Sequence, residues 1–170
     1  MKKLNELIDD YRDFPIKGID FKDVLGILQE PVVFKELINE MSQSSIIKNS
    51  EAIISIDARG FIFGSAISLY SSKPMLVARK PGKLPGELIT KNYDLEYGKN
   101  SLSISKKALD KYESYAIVDD LLATGGTVNC LFEILKSKNK EVKGLLVVVE
   151  LMKLEGRTKF TFPTESYITF

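Results

Sequence analysis

The stretch Tyr115-Ala116-Ile117-Val118-Asp119-Asp120-Leu121-Leu122-Ala123-Thr124-Gly125-Gly126-Thr127-Val128 decides how this chain is built. Tyr115 to Val118 is a short apolar run, as expected of a strand buried on both faces. It ends on two adjacent carboxylates, Asp119 and Asp120. Small residues, Ala123 to Thr127, form a loop, and the spacing beyond it predicts a helix over 127–137. Strand, acid pair, loop and helix together suit a sugar phosphate. The loop N–H groups and the helix N-terminus can face an anion. The carboxylates can accept hydrogen bonds from sugar hydroxyls or stand beside a metal ion.

Outward from this segment, Ala52 to Ile56, Met75 to Ala78 and residues 142–150 are further apolar strand patterns. Helical spacing covers residues 3–12, through Leu4, Leu7, Ile8 and Tyr11, and the Phe14-Pro15 pair ends it. A second helix runs from Pro31, a residue suited to the first helical turn, to about Gln43. A third follows Asp57-Ala58-Arg59-Gly60 and continues to about Tyr70. Residues 14–30 read as irregular, and 80–92, with Pro81, Gly82, Pro85 and Gly86, as a long exposed loop. Tyr93 to Tyr97 and Ser101 to Ser105 are expected to pair as a hairpin around Gly98-Lys99-Asn100. Strands alternating with helices predict one α/β domain over 1–170, with a mainly parallel sheet flanked by helices. Ligands of such sheets bind outside the carboxyl ends of the strands. Three strands end there in polar clusters: Asp57-Ala58-Arg59-Gly60, Arg79-Lys80 and Asp119-Asp120.

Composition removes several chemistries. The chain has no histidine, which excludes Ser-His-Asp and Cys-His catalysis and every histidine-containing metal site. Its one cysteine, Cys130, falls in a helical pattern and reads as a small buried residue. With 24 basic and 23 acidic residues the net charge is +1, so there is no electrostatic case for nucleic acid or a membrane surface. The N-terminus lacks the apolar core of a signal peptide, and no apolar run approaches the roughly 20 residues that cross a bilayer. A cytoplasmic location is expected.

The segment from Val118 to Thr127 resembles the phosphoribosyl pyrophosphate signature of the type I phosphoribosyltransferases. More narrowly, the chain is similar to the adenine-specific branch of that family. The similarity takes in Arg12-Asp13-Phe14-Pro15 with Gly18 and Phe21, then Asp57-Ala58-Arg59-Gly60-Phe61. It continues through the run from Arg79 to Gly86, Tyr93-Asp94-Leu95-Glu96-Tyr97-Gly98, and Gly156-Arg157. It implies a hood over the base, about 1–30, and a flexible lid loop and hairpin, about 80–105. The implied reaction has adenine attack the anomeric carbon of 5-phosphoribosyl 1-pyrophosphate; pyrophosphate leaves and AMP forms, a step of purine salvage. The implied cofactor is Mg²⁺, bound mainly through that substrate, with Asp120 as a candidate protein ligand. The implied assembly is a homodimer.

The resemblance also implies roles. Ala123, Thr124, Gly125, Gly126 and Thr127 wrap the 5′-phosphate, and Asp119 and Asp120 hold the ribose. Asp57, Ala58, Arg59, Arg79 and Lys83 meet the pyrophosphate, with a cis peptide often found at the position of Asp57-Ala58. Phe21, Lys22 and Tyr97 belong to the base site, and Glu96 is the catalytic carboxylate. Hypoxanthine-guanine enzymes carry an acid where this chain has Ala123, which favours adenine. Two departures stand beside Phe21: Lys22 replaces the usual arginine, and Asp20 a usual apolar residue. The alternative readings are a transferase for another purine base and a non-catalytic regulator that senses phosphoribosyl pyrophosphate. Such regulators usually add a DNA-binding segment and a basic face.

Overall fold

A computed structural model describes residues 2–14, 17, 20–95 and 98–170, with backbone alone for 2, 3, 93–95 and 98–100. The order is α1 (Lys2–Asn5), β1 (Asp9–Tyr11), β2 (Phe21–Asp23), α2 (Pro31–Gln43), α3 (Ser45–Lys48), β3 (Ala52–Ile56), α4 (Gly60–Ser71) and β4 (Met75–Ala78). Then come β5 (Leu88–Leu95), β6 (Gly98–Ser105), α5 (Lys106–Leu109), β7 (Ser114–Leu122), α6 (Gly126–Ser137), β8 (Glu141–Glu150) and β9 (Thr164–Thr169).

The central sheet has strand order β4-β3-β7-β8-β9, and every pairing in it is parallel. Alternate strand residues face opposite sides, so each strand feeds two cores. On one side Ile53, Ala116, Val118, Leu146 and Val148 pack with Leu37 and Met41 of α2 and Phe63 and Ile67 of α4. On the other, Ile54, Ile117, Leu145 and Val147 pack with Leu131, Ile134 and Leu135 of α6 and with Leu102 and Ile104 of the β5–β6 hairpin. Full burial of each of these side chains larger than alanine is worth about 1.5–3 kcal/mol. Cys130 is buried in the α6 core, as its pattern predicts.

Four expectations are corrected. The periodic stretch 3–12 is helical only to Asn5; Asp9–Tyr11 is a strand that pairs antiparallel with Phe21–Asp23. Leu4 alone of its stripe is fully buried, too little apolar contact to hold a short helix against cross-strand pairing. Residues 14–30 are therefore not all irregular, since they hold β2 and a 3₁₀ turn over Leu25–Gln29. The loop expected over 80–92 is shorter, because β5 starts at Leu88, and Gly98-Lys99-Asn100 lie in β6 rather than at the turn. Lastly, β9 escapes the sequence pattern: Thr164–Thr169 is a half-buried edge strand rich in Thr and Ser.

Helix α4 lies close on β3 because position 64 is glycine. A Cβ there would stand 2.2 Å from Ser55 Oγ and 3.2 Å from Met75 Sδ. Ser55 cannot yield freely, since its hydroxyl donates to Gly60 O at 2.6 Å. Gly64→Ala is expected to cost about 1–3 kcal/mol by overpacking, visible as a lowered urea midpoint with an unchanged slope.

Candidate active site

Strands β4, β3 and β7 are neighbours, so their carboxyl ends bring three polar clusters side by side. The register Ile56↔Ala78 places Asp57 next to Arg79. Arg79 Nε donates to Asp57 Oδ2 at 3.0 Å, and its Nη1 to Lys83 O at 3.4 Å. The guanidinium also stands 5.6 Å from the Phe61 ring centre. Backbone bonds between Arg79 and Ser103 tie this strand end to the hairpin. The Lys83 side chain is exposed. The Asp57–Ala58 peptide is cis.

Strand β7 runs on to Leu122, so Asp119 and Asp120 sit within it rather than just beyond its end. The Asp120 N–H donates to Asp119 Oδ1 at 2.9 Å. Asp120 is buried, and Arg59 Nε lies 2.5 Å from its Oδ2. Burial, and next the negative charge of Asp120, push Asp119 well above the usual carboxylate range; Arg59 opposes this. Glycine at 60, the first residue of α4, makes room for the acid, since a Cβ there would lie 2.7 Å from Asp119 Oδ1. Among the described residues, no three His, Cys, Asp or Glu side chains gather to hold a metal. An ion here would take one or two carboxylates and otherwise oxygens of a ligand, which is how Mg²⁺ is usually held.

The loop after β7 brings Ala123, Thr124 and Gly125 to the N-terminus of α6, where Gly126 and Thr127 form the first turn. Gly125 has φ 74°, a left-handed conformation that favours glycine. Its backbone lies against that of Gly156: a Cβ on Gly125 would be 2.5 Å from Gly156 O. Residue 156 begins a 3₁₀ turn, and the next residue, Arg157, grips the buried Glu150.

At the other side of the cluster, the Arg59 guanidinium stands 4.7 Å from the Phe21 ring centre, and Phe14 meets that ring edge-on at 5.3 Å. Lys22 is directed elsewhere, to Asp10 at 2.7 Å and over the Phe170 ring at 4.3 Å. The contacts thus link Phe21, Arg59 and Asp120, and separately Arg79, Asp57 and the Lys83 carbonyl. They leave the Lys22 ammonium outside. Glu96 and Tyr97 lie outside the described residues. No local pattern marks Glu150 or Ser166; the nearby signal is Gly156-Arg157, which enters only through the resemblance.

No family model matches the chain. It is 75% identical, over 99% of its own length and 98% of the relative's, to an adenine phosphoribosyltransferase of Prochlorococcus marinus strain MIT 9515. The crystal structure of adenine phosphoribosyltransferase from Thermoanaerobacter pseudethanolicus superposes with a TM-score of 0.91 at 35% identity, covering 99% of each chain. The enzyme of Saccharomyces cerevisiae, solved with an imino-altritol bisphosphate and adenine, gives 0.88 at 29% identity over 98% of this chain and 97% of that one. A parallel sheet with cations, paired carboxylates and a glycine loop at adjoining strand ends, and relatives this near over full length, lead to one assignment: the chain belongs to the adenine phosphoribosyltransferase family.

Proposed function

We propose that the cluster at the ends of β3, β4 and β7 is where this chain joins adenine to 5-phosphoribosyl 1-pyrophosphate, giving AMP and pyrophosphate. The observation that carries the reading is the adjacency of Asp57–Arg79, Arg59–Asp120 and the Gly125 loop on neighbouring strand ends. A sugar bearing a phosphate at one end and a pyrophosphate at the other presents hydroxyls between two anions, and the cluster has acceptors between two groups of donors.

The N–H groups of residues 123–127 hold the 5′-phosphate at the helix N-terminus. Asp119 and Asp120 accept from the ribose hydroxyls. Arg79 and Arg59, with Lys83 and the backbone at Asp57-Ala58, hold the pyrophosphate and stabilise its charge as it leaves. Arg59 is now shared between Phe21 and Asp120; substrate takes over both contacts and frees the guanidinium for the phosphates. Phe21 then stacks on the purine beneath the hood, with Tyr97 and the backbone at Lys22 around the base. Glu96, in the lid, accepts the proton that adenine loses or steadies positive charge on the ribose. Mg²⁺, when bound, would supply counter-charge to the pyrophosphate, held mainly through the substrate with Asp120 as its protein ligand.

The assembly is a homodimer, and the enzyme is cytoplasmic. No helix among the described residues is long and apolar enough to cross a membrane. Helix α4 is apolar nearly all round, yet Leu69 is 85% exposed and Tyr70 47%. A helix of that kind is expected to be covered, here by a second copy of the chain. Leu69→Glu is expected to shift the protein toward monomer in sedimentation velocity; an unchanged profile would place the contact elsewhere.

Supplied with Mg²⁺ and phosphoribosyl pyrophosphate, the protein should form nucleotide from adenine in preference to hypoxanthine or guanine. Turnover of those bases alone would overturn the reading, and tight ligand binding without any turnover would favour a sensor. In the same assay Glu96→Gln is expected to lower kcat by about 10²–10⁴-fold with little change in the KM for adenine.

The acid pair predicts a conflict between stability and activity. Asp119 is raised in the folded protein, so the folded state keeps a proton that the unfolded chain releases. Stability therefore falls as pH rises from the ordinary carboxylate value through the raised one. Asp119→Asn retains an oxygen for the Asp120 N–H and removes the buried charge. It is expected to raise Tm at neutral pH by about 2–6 °C and flatten this pH slope, while turnover collapses. An unchanged Tm would show that Asp119 carries no such penalty.

A further inference from the structure

Glu150 ends β8, and at 1% exposure it is among the most buried polar residues of the chain. A carboxylate so placed is costly unless it is paired and hydrogen-bonded. It is paired on both oxygens. Arg157 Nε donates to Oε1 at 2.6 Å, Arg157 Nη2 donates to Oε2, and Ser166 Oγ donates to Oε2 at 2.8 Å. The arginine hydrogen bonds hold the Glu150 carboxyl below the usual range, so the pair stays ionised at neutral pH. Neither partner belongs to the substrate-facing cluster.

The network ends on the phosphate loop. Arg157 is one residue from Gly156, and Gly156 is packed backbone to backbone on that loop. A Cβ on Gly156 would stand 2.1 Å from Ala123 O and 3.0 Å from Gly125 N. Both sides of the contact therefore require glycine. Residues 123–127 are too small to fix themselves, but their N–H groups must be set before an anion arrives if binding is to be tight. Beside the Gly156 turn, Phe160 supports Gly125, and the Leu151 N–H donates to Leu122 O at 2.9 Å.

We infer that Glu150, Arg157 and Ser166 are positioning residues for the 5′-phosphate: the ion pair of the half-exposed Arg157 with the buried Glu150 pins the Gly156 turn, and that turn sets the donors of residues 123–127. The inference rests on the reading of that loop as the 5′-phosphate site. It assigns the pair to one substrate, phosphoribosyl pyrophosphate, and not to adenine.

The test is a split of Michaelis constants in the full-length enzyme, assayed well below each variant's Tm. Glu150→Gln is expected to raise the KM for phosphoribosyl pyrophosphate about ten-fold, the loss of one charge-assisted hydrogen bond, with the KM for adenine within two-fold of wild type. Arg157→Lys keeps the charge but not the two-pronged grip, and is expected to show the same split to a smaller degree. It decides the matter if Glu150→Gln does not fold. Constants that stay put while Tm falls would make the network purely structural, and equal rises in both would make it general to the site; either overturns the inference. Thr124→Val, within the loop, separates the two layers. If it leaves the KM for phosphoribosyl pyrophosphate unchanged, the phosphate assignment fails and the inference with it. If it raises that constant while Glu150→Gln does not, only the inference fails.

Discussion

Parallel pairing of Ser114–Leu122 with Ala52–Ile56 on one side and Glu141–Glu150 on the other is the constraint on which the molecule depends. It places three strand ends in one row and aims them the same way. Asp57, Arg79 and the Asp119–Asp120 pair then share a rim without any loop having to reach for it. The same pairing buries both faces of β7, so α2 and α4 can cover one side and α6 the other. A parallel edge also leaves helix N-termini on the ligand side, where α6 begins at Gly126.

The rim is poor in stability and rich in charge. Asp119 and Asp120 repel each other in a desolvated place, and Arg59 is drawn in to offset one of them. A core built for stability alone would not put two carboxylates there. Under the proposed function, a ligand that brings hydroxyls to the pair offsets this cost, which is how a perturbed acid pair comes to mark a functional site. Glu150 shows the opposite arrangement. There the buried acid has all its partners within the protein, and the result is rigidity rather than readiness.

Much of this was legible beforehand, for physical reasons that differ by element. Ala52–Ile56 and Met75–Ala78 matched their expected bounds, because strands buried on both faces must be apolar throughout and the ends show as abrupt polarity. The strand, acid pair, glycine loop and helix fall in their expected order, because the apolar run and the glycines are local signals. Asp9–Tyr11 was misread because its partner, Phe21–Asp23, is a dozen residues away, and pairing energy does not appear in local periodicity. The spacing predicts the hairpin, but residues 98–100 belong to β6 and not to its turn, since glycine and asparagine mark a turn only weakly. Thr164–Thr169 was missed because an edge strand needs few apolar side chains.

By itself the sequence determined the class of fold, the absence of histidine chemistry, and the make-up of the acid pair and glycine loop at the end of β7. These follow from residue types whose roles are local: apolar runs that must be buried, glycine where φ is positive, carboxylates beside a loop of N–H donors. Only the tertiary structure decided the partners. It set Arg59 between Phe21 and Asp120, turned Lys22 toward Asp10 and Phe170, and closed Gly156 on the Gly125 loop under the Glu150–Arg157 pair. Those contacts join segments distant along the chain. Their energies depend on distance and burial in three dimensions, quantities that no single stretch of sequence contains.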